Sequence, residues 1–69
     1  MKINERVPAA KKLQGWMNLK GLNVPGVAAH FDVSRQAVYR WFAGKPPEWT
    51  KMIAILDETG IQLDDWVER

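Results

Sequence analysis

Apolar residues in this chain recur mostly three and four positions apart, in short runs that glycine and proline separate. This spacing is typical of amphipathic helices, and no stretch alternates strictly between apolar and polar residues as a half-buried strand does. The pattern therefore predicts an all-α fold of five short helices. They run from about Val7 to Leu19, from about Val24 to Phe31, from Ser34 to just before Gly44, from about Pro47 to Thr59 and from about Leu63 to Val67.

Each predicted helix has one apolar face, which we expect to pack into a common core. Trp16 and Trp41 belong to such faces, whereas Trp49 and Trp66 could lie in the core or at an interface with another molecule. The expected inward residues are Ala9, Leu13, Trp16 and Met17, then Val27, Ala28 and Phe31, then Val38, Trp41 and Phe42, and finally Met52, Ile53 and Leu56, which share an apolar stripe with Trp49.

Local signals define the break between the second and third helices. Asn23 and Ser34 are good N-caps, because their side chains can accept hydrogen bonds from the first free backbone N–H groups. Asp32 tolerates a left-handed backbone, although glycine adopts it at lower cost. Ala28 is small enough to let two helices cross closely. The stiff turn Lys45-Pro46-Pro47 then separates the third helix from the fourth.

The third helix is expected to have two faces of different chemistry. At 100° per residue, its apolar residues cluster on one side, and Gln36, Tyr39, Arg40 and Ala43 cluster on the other, with Arg35 near the border. Arginine can bond guanine and glutamine can bond adenine as two-pronged contacts in the major groove. The polar face therefore favours a helix that reads DNA.

Val24–Lys45 resembles the helix-turn-helix of the lambda repressor/Cro family, also called the XRE family. Its small apolar residues, its turn, the segment S-R-Q-A-V-Y-R-W and the trailing A-G-K fall where that family has them. The later segment L-D-E-T-G-I-Q-L-D-D-W-V is similar to the family's fourth and fifth helices, so the resemblance covers roughly residues 7–67. Its length is similar to that of small phage Cro-type regulators.

The resemblance implies a lambda-repressor-like domain that uses its second and third helices to bind DNA. The implied DNA-binding residues are Ser34, Arg35, Gln36, Tyr39, Arg40 and Lys45, with Asn23, Thr50 and Lys51 as weaker candidates for phosphate contacts. Ser34 and Lys45 would contact backbone phosphates, which position the protein without specifying sequence. The chain departs from the family at three positions: Val24 replaces a glutamine, Met17 an arginine, and Asp32 the glycine of the turn.

Composition limits the alternatives. The 69 residues are expected to form a single domain, 1–69, with 46% hydrophobic residues. The chain has no cysteine, one histidine and no apolar run long enough to span a bilayer. No secretion signal is apparent, so a cytoplasmic location is expected. We also expect no cofactor, no metal site, no small-molecule substrate and no enzymatic activity, since no nucleophile–base pair or phosphate loop is recognisable.

Charge is distributed unevenly along the chain. Residues 1–45 carry eight basic and two acidic side chains, a net charge of +6, whereas residues 46–69 carry two basic and six acidic ones, a net charge of −4. Such a split favours a polyanion as the partner of the first part. His30 is expected on the polar side of its helix, and Asp64 and Asp65 are expected to compensate the dipole of the last helix.

The leading interpretation is a sequence-specific transcription regulator, a phage or prophage Cro-like repressor that binds a palindromic operator in double-stranded DNA as a homodimer. One alternative is a DNA-binding antitoxin or excisionase-like protein, which would use the same contacts for a different output. A second alternative is a helical protein-interaction module that does not bind DNA. The four tryptophans and the acidic second part of the chain support this last alternative.

Overall fold

The computed structural model describes residues 3–69, so residues 1 and 2 of the predicted domain lie outside the described part. The described chain is all-helical, which confirms the predicted fold class, and no strand occurs in residues 3–69. The elements are α1 (Pro8–Leu19), α2 (Val24–Phe31), α3 (Arg35–Phe42), α4 (Trp49–Thr59) and a final 3-10 turn (Leu63–Trp66). The last element is a tighter and shorter helix than the one predicted to reach Val67.

The helix starts follow from local chemistry. The side chain of Asn23 accepts a hydrogen bond from the backbone N–H of Gly26 at 2.9 Å, and that of Ser34 accepts one from Ala37 at 3.2 Å, as predicted for N-caps. Helix α4 begins two residues later than expected, because Pro47 and Glu48 continue the turn and Glu48 has an extended backbone.

The turn between α2 and α3 is built on the residue predicted for it. Asp32 has a φ of 56°, and it is the one residue other than glycine with a left-handed backbone in residues 3–69. Its N–H and that of Val33 donate to carbonyls in the last turn of α2. The chain therefore leaves α2 and enters α3 within three residues.

One apolar cluster joins all five elements. Helices α1, α2 and α3 contribute the residues that the pattern predicted, and Val24 is buried in addition to the three expected from α2. Ala28 is 4% exposed, which agrees with its expected place at a close helix contact. Trp66, which was expected either in the core or at an interface, is buried in the core. Val33 is half-buried and packs against the cluster.

The predicted inward face of α4 is wrong in part. Trp49 is 64% exposed and Ile53 is 36% exposed, while Ile55, which the pattern did not select, is fully buried. The rotation of α4 agrees with a tertiary contact, since the ammonium group of Lys51 donates to the carbonyl of Phe31 at 2.8 Å. Met52 stays half-buried against the core.

Asp65 ties the last turn to α1. Its carboxylate accepts from the ammonium group of Lys12 at 2.7 Å and from the backbone N–H of Gln62 at 2.9 Å. The hydrogen bond from Lys12 holds the pKa of Asp65 below its ordinary value, against the opposing effect of burial. The expectation that Asp65 merely compensates a helix dipole is therefore incomplete, because the residue is a buried anchor.

A short N-terminal segment, residues 3–7, lies against the end of α3. The backbone N–H of Asn4 donates to the carbonyl of Phe42 at 2.8 Å, and its side-chain amide donates to the carbonyl of Ala43 at 3.3 Å. Gly44 leaves room for this contact: a Cβ there would lie 2.7 Å from Val7 Cγ2. With a φ of 94°, Gly44 also has a backbone that other residues rarely adopt.

Candidate nucleic-acid interface

Helix α3 separates its apolar and polar side chains onto opposite faces. Val38, Trp41 and Phe42 are buried, and they fix the helix to the core. The residues predicted to bind DNA are all exposed on or next to the other side; they are Ser34, Arg35, Gln36, Tyr39, Arg40 and Lys45. The structure thus places this predicted set on one continuous part of the surface, from the N-cap of α3 to the residue that follows Gly44.

The exposed side chains of α3 are not committed to contacts within the fold. Within residues 3–69, no side chain forms a hydrogen bond or an ion pair with those of Arg35, Gln36, Tyr39, Arg40 or Lys45. Their donors and positive charges are available to a ligand. The backbone of α3 is held rigidly beneath them, because its inward residues are almost completely buried.

Charge compensation elsewhere leaves this surface basic. Of the acidic residues in the second part of the chain, Asp65 pairs with Lys12, and Glu58 lies 3.2 Å from Nε2 of His30. Neither carboxylate neutralises a cation of α3. A surface of uncompensated arginine and lysine beside the start of a helix attracts anions, above all a repeated polyanion such as a nucleic-acid backbone.

A groove borders the basic surface on the side of α4. It has a volume of about 270 Å³ and lies between α3, the turn after Gly44 and the first turn of α4. Its apolar part is made by Ala37, Trp41 and neighbouring prolines. Its charged lining consists of three basic residues, Arg40, Lys45 and Lys51, and one acidic residue, Glu48. Arg40 therefore lies at the boundary between the polar face of α3 and this groove.

The three weaker candidates have partners inside the fold. The side chain of Asn23 caps α2, the hydroxyl of Thr50 donates to Glu48 at 3.1 Å, and the ammonium group of Lys51 donates to the carbonyl of Phe31. Lys51 lines the groove and keeps two further donors. Asn23 lies twelve residues before the start of α3 at Arg35 and belongs to the start of α2.

Sequence reasoning did not identify the N-terminal segment as part of this region. Asn4 donates hydrogen bonds to the carbonyls of Phe42 and Ala43 at the end of α3. It therefore helps to hold the helix in place but is not part of its exposed polar face. The one signal in the sequence is Gly44, whose missing side chain permits a close approach. The atoms that approach Gly44 belong to the side chains of Val7 and Asn4, and nothing in the sequence of this short segment indicates that it lies against α3.

His30 is exposed on the polar side of α2, as expected, and its ring contacts Trp16 and Phe31 edge to face. In residues 3–69, no three acidic, histidine or cysteine side chains come together in a way that could hold a metal ion. The helices of this part are also too short or too polar to serve as bilayer-spanning segments.

Comparison of the chain with protein-family models, curated proteins and solved structures gives no match. The resemblance to the lambda repressor/Cro family consequently stays a prediction from the residues themselves.

Proposed function

We propose that this chain is a sequence-specific DNA-binding transcription regulator in which α2 and α3 act as a helix-turn-helix and α3 is the recognition helix. The observation that carries the proposal is the division of α3 into a buried apolar face and an exposed face that carries Arg35, Gln36, Tyr39 and Arg40. A helix held in this way can enter the major groove, since that groove is wide enough to admit one helix.

Each exposed side chain suits a distinct contact. Arg35 and Arg40 can each donate two hydrogen bonds to O6 and N7 of guanine, and Gln36 can pair with N6 and N7 of adenine. Tyr39, half-exposed, can contact a thymine methyl group or donate to a phosphate. Lys45 lies past the end of α3 and suits a phosphate contact, which positions the helix along the duplex.

The groove beside Arg40 supports the same orientation. Its basic residues match phosphates, and its apolar part matches the non-polar faces of deoxyribose. The first turn of α3 provides a further anion contact, because free backbone N–H groups and the helix dipole favour negative charge there. Contacts from both ends of α3 would fix its register against the bases.

One recognition helix contacts few base pairs, so tight and selective binding requires a second one. We propose a homodimer on a palindromic operator, with the two recognition helices in successive major grooves about 34 Å apart. The output we favour is repression in the manner of a phage Cro protein, by excluding polymerase from DNA in the cytoplasm. An antitoxin or an excisionase-like protein would use the same surface with a different output.

The decisive experiment is selection of bound sequences from random double-stranded DNA. The expected product is a palindrome whose half-sites lie one helical turn apart. The affinity for that product, measured by fluorescence anisotropy, should fall linearly on a log–log scale with salt concentration, because cations released from phosphates drive binding.

Two results would count against the proposal. One is enrichment of no sequence together with no binding at low salt. The other is an affinity for DNA that does not change with salt. The first result would favour the protein-interaction module, which the exposed indole of Trp49 supports independently. The second would contradict a recognition surface that binds phosphates through its basic residues.

A further inference from the structure

Helix α4 has an apolar surface that the fold does not use. Trp49 and Ile53 are exposed, and Asp57 follows them on the same line of the helix, since the three residues are spaced four apart. We call Trp49, Ile53 and Asp57 the outer line of α4. The other three tryptophans of the chain are buried, so Trp49 is the exception that needs an explanation.

The charges around the outer line argue against nucleic acid as its occupant. Asp57 lies on the line, Glu48 lies just before it, and the cation of α4, Lys51, points to the carbonyl of Phe31. Asp57 and Glu48 therefore place carboxylates near the indole, whereas the ammonium group of Lys51 belongs to the groove beside α3. DNA and anionic membranes would be repelled, whereas an uncharged or complementary protein surface would not.

We propose that the outer line of α4 binds the outer line of a second copy of this chain in antiparallel orientation. Trp49 and Asp57 are equally far from Ile53 in sequence. A two-fold axis at Ile53 consequently places the indole of one copy opposite the carboxylate of the other, twice. The indole N–H is a donor and the carboxylate an acceptor, so the line is complementary to itself in both apolar contact and hydrogen bonding.

The size of the surface determines how strong this contact is. Trp49 leaves on the order of 150 Å² outside the core, and Ile53 adds less, whereas a stable interface takes roughly 800 Å² from each partner. The free protein is consequently a weak dimer. On DNA, two adjacent half-sites hold the copies at an effective concentration on the order of millimolar, which suffices to close a weak contact.

The choice of a second copy rests on the proposed function, which needs two recognition helices, but the contact itself is measurable without DNA. Sedimentation equilibrium over a concentration series is expected to show a weak monomer–dimer equilibrium for the parent chain. Trp49→Ala and Ile53→Glu should each weaken it at least about tenfold, as expected for a central anchor of an interface. Leu19→Glu, which changes an exposed apolar residue on α1, is the matched control and should leave it unchanged.

A second measurement uses the exposed indole directly. Acrylamide should quench the fluorescence of Trp49 in the dilute protein, and quenching should decrease as the concentration rises or as an operator with two half-sites is added. Trp49→Phe should lose the quenchable component. Circular dichroism and the melting temperature establish that each variant folds.

The arms of the experiment separate this inference from the proposed function. If no DNA binds but Ile53→Glu still weakens self-association, the contact stands and the proposed function fails. If half-sites bind normally while the parent stays monomeric at every concentration and fills two half-sites independently, the contact is overturned and the proposed function stands. In that case a different protein would be the occupant of the outer line.

Discussion

Asp32 occupies the left-handed position of the turn between α2 and α3, where a side chain is tolerated rather than favoured. We expect Asp32→Gly to raise the free energy of unfolding by about 0.5–1 kcal/mol, because relief of the left-handed strain outweighs the greater flexibility of glycine in the unfolded chain. For a domain of this size, the melting temperature should rise by a few degrees in thermal unfolding followed by circular dichroism. Asp32→Ala, which keeps a Cβ and loses the polar side chain, should lower it.

Gln36 and Lys45 should affect DNA binding in different ways. Gln36→Ala is expected to cost about 1–3 kcal/mol with the selected operator and to relax the preference at one base pair. Lys45→Ala should weaken binding to all sequences by a similar factor and reduce the slope of log affinity against log salt by about 1. Anisotropy titrations with matched and single-substituted operators test both. A loss of preference on Lys45→Ala would contradict the assignment of Lys45 to phosphates.

At the scale of the elements, the packing of the segment before α1 against the end of α3 depends on Gly44. Gly44→Ala should destabilise the protein by about 1–3 kcal/mol, since the new Cβ would clash with fully buried Val7 and the φ of 94° disfavours any side chain. Chemical denaturation measures the change. Gly15→Ala is the matched control, because its Cβ meets no atom within 4 Å and alanine favours the helix. Equal stability of Gly44→Ala and the parent would refute the close packing.

The link between the last turn and α1 should depend on pH. The pKa of Asp65 is lowered in the folded state, so its contribution to stability is complete above the ordinary carboxyl pKa of 3.8 and is lost as the pH falls through the lower folded value. Asp65→Asn should therefore be less stable than the parent at neutral pH, and this difference should shrink in acid. Urea unfolding at a series of pH values tests it, with exposed Asp64→Asn as the control. A difference that stays constant with pH would contradict this role.

The elements also show how far the sequence determines the fold. The bounds of α2 and the start of α3 could be predicted because Asn23 and Ser34 act on atoms within three residues of themselves. The inward face of α4 could not, because residues 52–56 are all apolar, so spacing alone does not select one face, and the rotation agrees with a distant contact, that of Lys51 with Phe31.

The candidate site likewise has one part that the sequence predicts and another part that it does not. The polar face of α3 follows from spacing alone, since burial of three apolar residues leaves the polar positions of the helix exposed. The contacts that hold the end of α3 do not, because Asn4 reaches the carbonyls of Phe42 and Ala43 from nearly forty residues away, and no local spacing indicates that its backbone N–H and its side-chain amide meet them. The unused outer line of α4 appears only once the core is known.

At the scale of the whole molecule, one cluster of apolar residues joins all five elements, and the candidate DNA-binding residues lie on the surface of the molecule. The exposed polar face of α3 and the outer line of α4 are distinct sets of side chains on one small body, and each proposal uses one of them. The proposed regulator would bind DNA with α3 and another copy with α4. Its affinity for a complete operator should consequently exceed what two independent half-sites give.

Because Lys51 donates a hydrogen bond to the carbonyl of Phe31, we expect Lys51 and Lys45 to differ in how fast they react with an acylating reagent. In acylation the lysine nitrogen attacks the reagent, so the reagent must reach that nitrogen, and in Lys51 the nitrogen is engaged with the carbonyl of Phe31 at 2.8 Å. Half-buried Lys51 should therefore react more slowly with such a reagent than exposed Lys45, which has no partner among residues 3–69. A brief acylation followed by peptide mass spectrometry would thus distinguish a lysine that holds the fold from one that is free for a ligand, and addition of operator DNA should then protect Lys45 more strongly than Lys51.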